Sequence, residues 1–280
     1  MGKALAFLRL ARIDHGLMTV LAALTGFLAV GKEWVDVTRL VCGLVAALMV
    51  EVGVFAFNDV FNLEEDRVNA PNRPLVRGDL TLFEAEVFGA VALALALVLS
   101  CLTNLLCCVI IALAIATSML YNVRLKREGF PGNLIVALNT ALPFIYGAAI
   151  VERALSAKPL LYFLIAFFAT LGREVLKGIR DIEGDRRVGV KTLAIVWGPK
   201  RAAYVSALFM CLAVAITPLL LPLATSWLSY ILLVAITDLL FLYSSIVIVR
   251  EPEVAVAERC RKMTLLGMLC GILAFMAASV

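Results

Sequence analysis

Long apolar stretches separated by short polar segments recur along nearly the whole chain. A helix that crosses the hydrocarbon core of a bilayer needs about 20 mostly apolar residues, which is the length that these stretches repeat. The pattern predicts nine spanning helices, at 13–31, 38–61, 82–102, 105–122, 132–150, 159–180, 201–221, 225–249 and 262–279. Short turns merge adjacent spans, so the same pattern is compatible with eight or ten helices.

Composition agrees with the membrane class. The 280 residues are 63% hydrophobic and 16% charged, and the mean hydropathy is +1.00, whereas a soluble domain is about a quarter charged. No stretch remains for a soluble domain. We therefore predict one all-α integral membrane domain over residues 1–280, a single helical bundle around a central cavity. The first span has no clear small-residue cleavage site and carries Asp14 and His15 at its entry, so we expect a retained helix rather than a signal peptide.

Lysine and arginine are distributed unequally between the two predicted sides. The side that carries the N-terminus receives 21 of the 25 basic residues, and the other side receives Lys32, Arg39, Arg153 and Lys158. Basic residues accumulate in cytoplasmic loops, which predicts a multi-pass protein of the cell membrane with a cytoplasmic N-terminus. The net charge of +4 follows from this topology and gives no indication of nucleic-acid binding.

The seven cysteines lie mostly inside apolar runs and lack metal-type spacing. We expect them to be small buried hydrophobic residues rather than disulfide partners or zinc ligands. They are Cys42, Cys101, Cys107, Cys108, Cys211, Cys260 and Cys270.

The first of two polar segments follows the second span. Asn58, Asn62 and Asp66 are spaced i, i+4 and i+8, so on a helix their side chains form one stripe. Glu51 falls on the same stripe, two turns deeper in the membrane. Pro71 and Pro74 then end the helix and begin a basic loop. The spacing predicts an oxygen-bearing stripe, the first stripe, that ends at the membrane surface.

The second polar segment follows the sixth span. Glu174, Lys177, Asp181 and Asp185 share one helical face, at offsets of three, four and four residues. Both segments are predicted on the cytoplasmic side. Because they lie four spans apart, the arrangement hints at an internal duplication. This second stripe and the first are expected to face one another.

Oxygen ligands of this kind suit Mg²⁺, which proteins bind through a few carboxylates together with phosphate oxygens and water. We predict two Mg²⁺ ions, one on each stripe, between these ligands and the diphosphate of a substrate. The predicted metal ligands are Asn58, Asn62, Asp66, Asp181 and Asp185. The candidate catalytic residues are Asn58, Asp59, Asp66, Asp181 and Asp185, of which Asp59 is expected to orient a ligand or a lysine. The expected diphosphate contacts are Arg67, Arg73, Lys126 and Lys177, with Tyr121 and Asn122 beside them. The apolar bundle beneath would hold an isoprenoid tail.

Other interpretations fit parts of this pattern. Charged residues at helix ends often mark only the interface, and a purely structural membrane protein would show the same feature. A transporter also places carboxylates among membrane helices, but near the bilayer midplane and beside broken helices. An intramembrane CDP-alcohol phosphotransferase packs its aspartates into one continuous motif, which this sequence lacks. Two separate stripes on one side favour the metal-diphosphate site.

At these residues the chain resembles the UbiA-type superfamily of intramembrane prenyltransferases. The family motif Asn-Asp-x-x-Asp-x-x-x-Asp is matched by Asn58, Asp59, Asn62 and Asp66, and the second aspartate motif by Asp181 and Asp185. Three departures stand out: Asn62 replaces an aspartate, Gly178 stands where the family often has one, and the Tyr-x-x-x-Lys pattern has Asn122 at the tyrosine spacing from Lys126. The resemblance covers the full chain and implies a Mg²⁺-dependent prenyl transferase.

Within that superfamily, segments 69–75 and 172–185 look most like the archaeal branch that includes the digeranylgeranylglyceryl phosphate synthases. The resemblance implies geranylgeranyl diphosphate as donor and geranylgeranylglyceryl phosphate as acceptor, in ether-lipid synthesis. Quinone-type and chlorophyll-type members have similar second motifs and remain alternatives. The implied mechanism is ionisation of the donor to an allylic cation, which the acceptor hydroxyl attacks. The sequence does not identify a general base or an oligomeric state.

Overall fold

A computed structural model describes residues 2–31 and 36–280, and it also leaves the side chains of Val68 and Asn69 undescribed. The predicted side of Lys32 therefore lies outside the described residues, as does the Asn69 side chain of the segment that suggests the archaeal branch.

The described chain is built from α-helices joined by short connections. They are α1 (Lys3–Ala11), α2 (Ile13–Leu28), α3 (Val37–Phe61), α4 (Leu63–Asn69), α5 (Leu82–Thr103), α6 (Leu105–Val123), α7 (Phe130–Ala149), α8 (Ala157–Arg180), α9 (Ile182–Arg187), α10 (Leu193–Val196), α11 (Pro199–Ile216), α12 (Trp227–Arg250) and α13 (Val254–Ser279). Short 3₁₀ turns follow α6, at Leu125–Glu128, and α11, at Thr217–Leu223. The described residues contain no β-strand, so the all-α prediction is confirmed.

Eight helices in the described ranges are long and apolar enough to cross a membrane by length and composition. The remaining predicted span, the first at 13–31, corresponds to α2, an apolar helix of 16 residues. One boundary differs clearly from the prediction, because α13 begins at Val254 rather than at residue 262. Its charged first turns remain helical since Glu258 pairs with Arg261 and Lys262, one turn further along.

The spanning helices pack in a ring that follows chain order. α3 packs on α2 and α5, α6 lies between α5 and α7, and α7 is followed by α8, α11, α12 and α13. α2 also packs on α7 and on α13, which divides the bundle into two halves with an apolar core in each. The first polar stripe belongs to one half and the second to the other.

Glycines bring α2 and α7 into unusually close contact. A Cβ at Gly147 would lie 1.7 Å from the carbonyl oxygen of Ala23, and one at Gly26 would lie 2.0 Å from that of Phe144. Only a residue without a side chain fits there, and small residues at helix interfaces let membrane helices pack backbone to backbone. We call this contact the α2–α7 seam. It fixes the distance between the two halves.

The cysteine prediction is wrong in part. Cys107 and Cys260 are buried, but Cys211 is exposed on the outside of the bundle. Cys101 and Cys108 form a disulfide, with their Cα atoms 4.7 Å apart. The two cysteines are only seven residues apart, on either side of the extended residue Asn104. Asn104 ends α5 and caps α6 by accepting from the Cys107 N–H at 2.8 Å, which brings the two helix ends together.

Candidate active site

The first stripe lies at a junction between two helices. α3 ends at Phe61, Asn62 leaves helical geometry, and α4 begins at Leu63. Backbone hydrogen bonds nevertheless continue at four-residue spacing, from the Asn62 N–H to the Asn58 carbonyl at 3.1 Å and from the Asp66 N–H to the Asn62 carbonyl at 2.8 Å. The predicted spacing therefore holds across the break, and the three side chains stay one turn apart.

The second stripe repeats this construction. α8 ends at Arg180, Asp181 occupies the junction, and α9 carries Asp185. The Asp181 N–H donates to the Lys177 carbonyl and the Asp185 N–H to the Asp181 carbonyl, each at 2.9 Å. In both halves the polar stripe thus continues from a long membrane helix into a short helix at the same end of the bundle. This end, where α3, α6 and α8 terminate, is called the motif face below.

The side chains of the first stripe are held by polar contacts from two directions. The Asn58 amide donates to Asn122 Oδ1 at 2.8 Å, and the Asn62 amide donates to the Asn58 carbonyl at 2.6 Å. Lys126 donates to Asn62 Oδ1 at 2.5 Å, and Arg73 donates to Asp66. Asn62 and Asp66 are both largely buried. The stripe thus presents amide and carboxylate oxygens that already bind cationic side chains.

Asp59, next to Asn58 in sequence, belongs to a buried ionic network that reaches the stripe through Arg73. Its carboxylate accepts from Arg12 at 2.5 Å and from Arg73 at 3.0 Å, and its side chain is 3% exposed. Arg12 lies at the break between α1 and α2, has a positive φ of 44°, and covers the Phe55 ring at 4.6 Å. Asp59 therefore positions Arg73, which in turn contacts Asp66.

Replacement of Asp59 by Asn is expected to lower the free energy of unfolding by about 3 kcal/mol, because two partly buried arginines would lose their shared counter-charge. The thermal unfolding midpoint in detergent measures this effect. Glu64→Gln on exposed α4 is the matched control and should leave the midpoint unchanged. A midpoint for Asp59→Asn equal to that of the parent protein would show that the network contributes nothing to stability.

Lys126 connects the two stripes. Besides Asn62 it contacts the Glu65 carboxylate, and it lies close enough to Asp185 to act on that group electrostatically. The loop that carries it packs on the segment after α9, where the Lys191 N–H donates to the Arg127 carbonyl at 3.1 Å. Gly129 allows this approach, since it has a positive φ of 73° and a Cβ there would lie 1.9 Å from the Lys191 carbonyl oxygen.

The second stripe combines carboxylates with basic neighbours. Lys177 donates to both oxygens of the buried Glu174 at 2.7 Å, and Arg180 donates to Asp181 at 2.6 Å. Burial raises the pKa of Asp185 to about 6, and the nearby Asp181 carboxylate adds to this rise. Lys126 and Lys177 act on this pKa in the opposite direction. A cation bound nearby would therefore stabilise the charged form of the Asp185 carboxyl group.

The structure thus gathers most of the predicted site residues at the motif face. Hydrogen bonds join Asn58, Asn62, Asn122 and Lys126, and Arg73 contacts Asp66 one turn further along. Lys126 and Lys177 each lie close enough to Asp185 to act on it electrostatically. Tyr121 is half-buried in the same region and interacts electrostatically with Asp185 and Glu65. Arg67 lies outside this group of site residues, because its side chain is 60% exposed and pairs with Glu64.

Several contacts were not anticipated from the sequence. Helical periodicity places Glu65 off the first stripe, yet it pairs with Lys126 and with Arg127. Arg12 was not predicted near the site, since its partner Asp59 is 47 residues away along the chain. Gly178, which departs from the family pattern, packs against Thr192, and a Cβ at this glycine would lie 3.2 Å from the Thr192 Cβ. A side chain at this position would therefore press against Thr192.

The donor set fits a hard cation that is shared with a substrate. Within residues 2–31 and 36–280, no group of three His, Cys, Asp or Glu side chains is close enough to hold a metal ion alone. The first stripe offers one carboxylate and two amide oxygens, and the second offers two carboxylates. Mg²⁺ is typically held by one or two carboxylates and completes its shell with phosphate oxygens and water. The chemistry of the site therefore suits Mg²⁺ bound together with a diphosphate.

Comparison with known proteins decides the family. The profile of the UbiA prenyltransferase family matches residues 18–278. The chain belongs to the UbiA prenyltransferase family. This UbiA-family chain is 34% identical over 274 residues to digeranylgeranylglyceryl phosphate synthase of Archaeoglobus fulgidus, covering 96% of this chain and 94% of the relative. It is also 34% identical over 274 residues to the synthase of Methanopyrus kandleri, covering 98% of both.

Solved structures give the same result for the UbiA fold. A structure reported for digeranylgeranylglyceryl phosphate synthase in membranes matches with a TM-score of 0.86 at 29% identity, over 100% of this chain and 99% of that one. A UbiA homolog from Archaeoglobus fulgidus bound to GPP and Mg²⁺ matches with a TM-score of 0.67 at 18% identity, over 96% and 99% of the two chains. The resemblance inferred from the two motifs is confirmed. Family membership argues against the transporter and phosphotransferase alternatives.

Proposed function

We propose that this protein transfers the geranylgeranyl group of geranylgeranyl diphosphate to geranylgeranylglyceryl phosphate, forming an ether bond. The observation that carries the proposal is the pair of oxygen-bearing stripes that end at one face and meet at Lys126. The relatives that share about a third of its residues are named as synthases of the corresponding product. Quinone-type and chlorophyll-type acceptors are the alternatives.

Asn58, Asn62 and Asp66 on one stripe, and Asp181 and Asp185 on the other, are the groups that would hold Mg²⁺, one ion on each. When bound, Mg²⁺ supplies positive charge that stabilises the departing diphosphate. In support, the stripes offer only oxygen donors, and a UbiA-fold relative has been solved with GPP and Mg²⁺. Arg73 and Lys126, which contact these oxygens directly, would shift to the diphosphate oxygens.

The remaining steps follow from the protein's own residues. Lys126, Lys177 and Arg73 neutralise the charge that grows on the leaving diphosphate as the bond between C1 and oxygen breaks. The apolar bundle excludes water and thereby protects the allylic cation from hydrolysis. The acceptor hydroxyl then forms the ether bond at C1, and its proton passes to the released diphosphate or to a nearby carboxylate. We place the motif face in the cytoplasm, because the basic residues concentrate there.

The test is a panel assay with the purified protein in nanodiscs. Prenyl diphosphates of different length are combined with geranylgeranylglyceryl phosphate, an aromatic quinone precursor and a chlorophyllide. We expect the highest kcat/KM for the geranylgeranyl donor with the glyceryl phosphate acceptor, and no transfer without Mg²⁺. Preferred transfer to an aromatic acceptor would instead support the quinone-type or chlorophyll-type alternative. Consumption of no donor would refute the function.

The raised pKa of Asp185 predicts a pH dependence of metal binding. Below about pH 6 the carboxyl group becomes protonated and stops being a ligand, so the apparent Mg²⁺ affinity should fall by up to ~10-fold per pH unit. Above about pH 6 the apparent Mg²⁺ affinity should not change with pH. Mg²⁺ titrations of activity at several pH values test this, with Asp185→Asn expected to bind more weakly and without the pH dependence. Constant affinity of the parent protein between about pH 5 and pH 7 would contradict the assignment.

A further inference from the structure

A second group of basic side chains lies beside the second stripe, on α8 and α13. We call it the α8–α13 basic cluster, and it consists of Arg173, Arg180, Arg261 and Lys262. Glu258 joins three of them, at 2.7 Å from Arg261, 3.5 Å from Lys262 and 3.5 Å from Arg180, and Arg173 lies close enough to Arg180 and Arg261 to act on them electrostatically. Arg180 also pairs with Asp181 and so links the cluster to the second stripe.

The carboxylates around this cluster do not balance its charge. Together with Lys177 there are five cations, and they face four carboxylates, those of Glu174, Asp181, Asp185 and Glu258. Glu174 gives both of its oxygens to Lys177 and lies 3.9 Å from Arg173. Under the proposed function Asp181 and Asp185 are also metal ligands. A surplus of one to three positive charges therefore remains on this side of the second stripe.

Arg173 is the most unusual member of the cluster. Its side chain is 14% exposed, it lies close enough to Arg180 and Arg261 for mutual repulsion, and in the described part of the chain its buried Nε has no hydrogen-bond partner. Charged groups inside a membrane segment are costly and indicate function. An arginine that only marked the interface would extend into solvent, as the 70% exposed Lys262 does.

The depth of the cluster fits the headgroup of a lipid. Arg173 lies seven residues before the end of α8, and Arg261 lies seven residues after the start of α13. At 1.5 Å per residue, both lie about 10 Å inside the motif face. A phosphate monoester carries about −1.5 to −2 charge at pH 7, which matches the surplus. Arginine binds such groups through paired hydrogen bonds.

We infer that the α8–α13 basic cluster binds the phosphate monoester of the acceptor lipid. The inference rests on the proposed function and adds a second phosphate site to it. The donor diphosphate is held between the stripes by Lys126, Lys177 and Arg73, whereas the acceptor phosphate is held by Arg173 and Arg261. This division gives the acceptor one orientation, and it distinguishes a phosphorylated glyceryl ether from an uncharged aromatic acceptor.

The experiment compares two acceptors that differ only in the phosphate, geranylgeranylglyceryl phosphate and geranylgeranylglycerol. For Arg261→Gln and Arg173→Gln, we expect the KM of the phosphorylated acceptor to rise about ten- to a hundredfold. The KM of geranylgeranyl diphosphate and the KM of the uncharged acceptor should stay unchanged. Arg261→Lys should recover part of the loss, because it keeps the charge without the paired hydrogen bonds. Arg259→Gln, an exposed position on the same helix, is the matched control.

Two results would overturn the inference. One is an unchanged preference for the phosphorylated acceptor in both glutamine variants. The other is a loss that varies with the anionic lipid content of the nanodiscs and is equal for both acceptors, which would make the cluster a site for bulk lipid headgroups. Calorimetric binding of geranylgeranylglyceryl phosphate without donor separates this question from catalysis. Weaker binding by Arg261→Gln supports the inference even where the transfer reaction fails, and equal binding refutes it.

Discussion

Asp66→Ala and Asp181→Ala are each expected to lower kcat/KM for prenyl transfer by about a thousandfold at saturating Mg²⁺, because each removes a charged oxygen from one of the two stripes. Each stripe offers few carboxylates, and Asn62 already replaces one of them with a neutral amide. The remaining ligands would bind Mg²⁺ too weakly to compensate for the loss of another carboxylate. Single-turnover rates with radiolabelled geranylgeranyl diphosphate measure the effect directly.

The matched control for this experiment is Glu64→Ala, which removes a carboxylate from the same short helix as Asp66 but at an 80% exposed position. Its rate should equal that of the parent protein. Near-normal transfer by either Asp66→Ala or Asp181→Ala would refute the proposal that both stripes hold metal. Unfolding midpoints close to that of the parent would show that the losses reflect chemistry rather than folding.

Lys126→Met is expected to have the second largest effect, a fall of about a hundredfold in kcat/KM. Its ammonium group contacts the first stripe and also acts on Asp185 of the second. Methionine keeps most of the length of the side chain and removes the charge. Most of the fall should appear in kcat, because the charge on the diphosphate grows as the bond to C1 breaks.

Arg124→Met tests the same change of charge two residues earlier, at an exposed position. It should leave kcat and the KM of the donor unchanged. If Lys126→Met raised only the KM of the donor and left kcat intact, the lysine would bind the diphosphate equally in the ground state and the transition state. Its proposed role in stabilising the leaving group would then be wrong.

Most of the fold was predictable from the sequence, because in a membrane the length of an apolar stretch nearly determines the helix. The differences arise where tertiary contacts override the local pattern. Arg12 breaks the first helical segment in a left-handed conformation, stabilised by Asp59 and Phe55 from α3. The first turns of α13 are charged yet helical, because Glu258 pairs with Arg261 and Lys262 within the same helix.

The stripes themselves were also predictable, since side chains four residues apart fall on one helical face. The long-range contacts of the stripes were not predictable. The hydrogen bond between Lys126 and Asn62 joins residues 64 apart along the chain, and that between Arg12 and Asp59 joins residues 47 apart. No local spacing indicates such pairs. The same holds for Glu65, which periodicity turns away from the stripe but which the loop after α6 supplies with two cationic partners.

The α2–α7 seam has a consequence for the geometry of the reaction. α3 packs on α2, and α8 packs on α7, so the helix that carries each motif is braced against one side of a junction made of main chain. Main-chain contacts at glycine cannot stretch or rotate as long side chains do. Gly26 and Gly147 lie in the last turns of α2 and α7, at the end of the bundle opposite the motif face. The two halves are therefore fixed to one another at that far end, and the contact between Lys191 and Arg127 completes their spacing at the motif face.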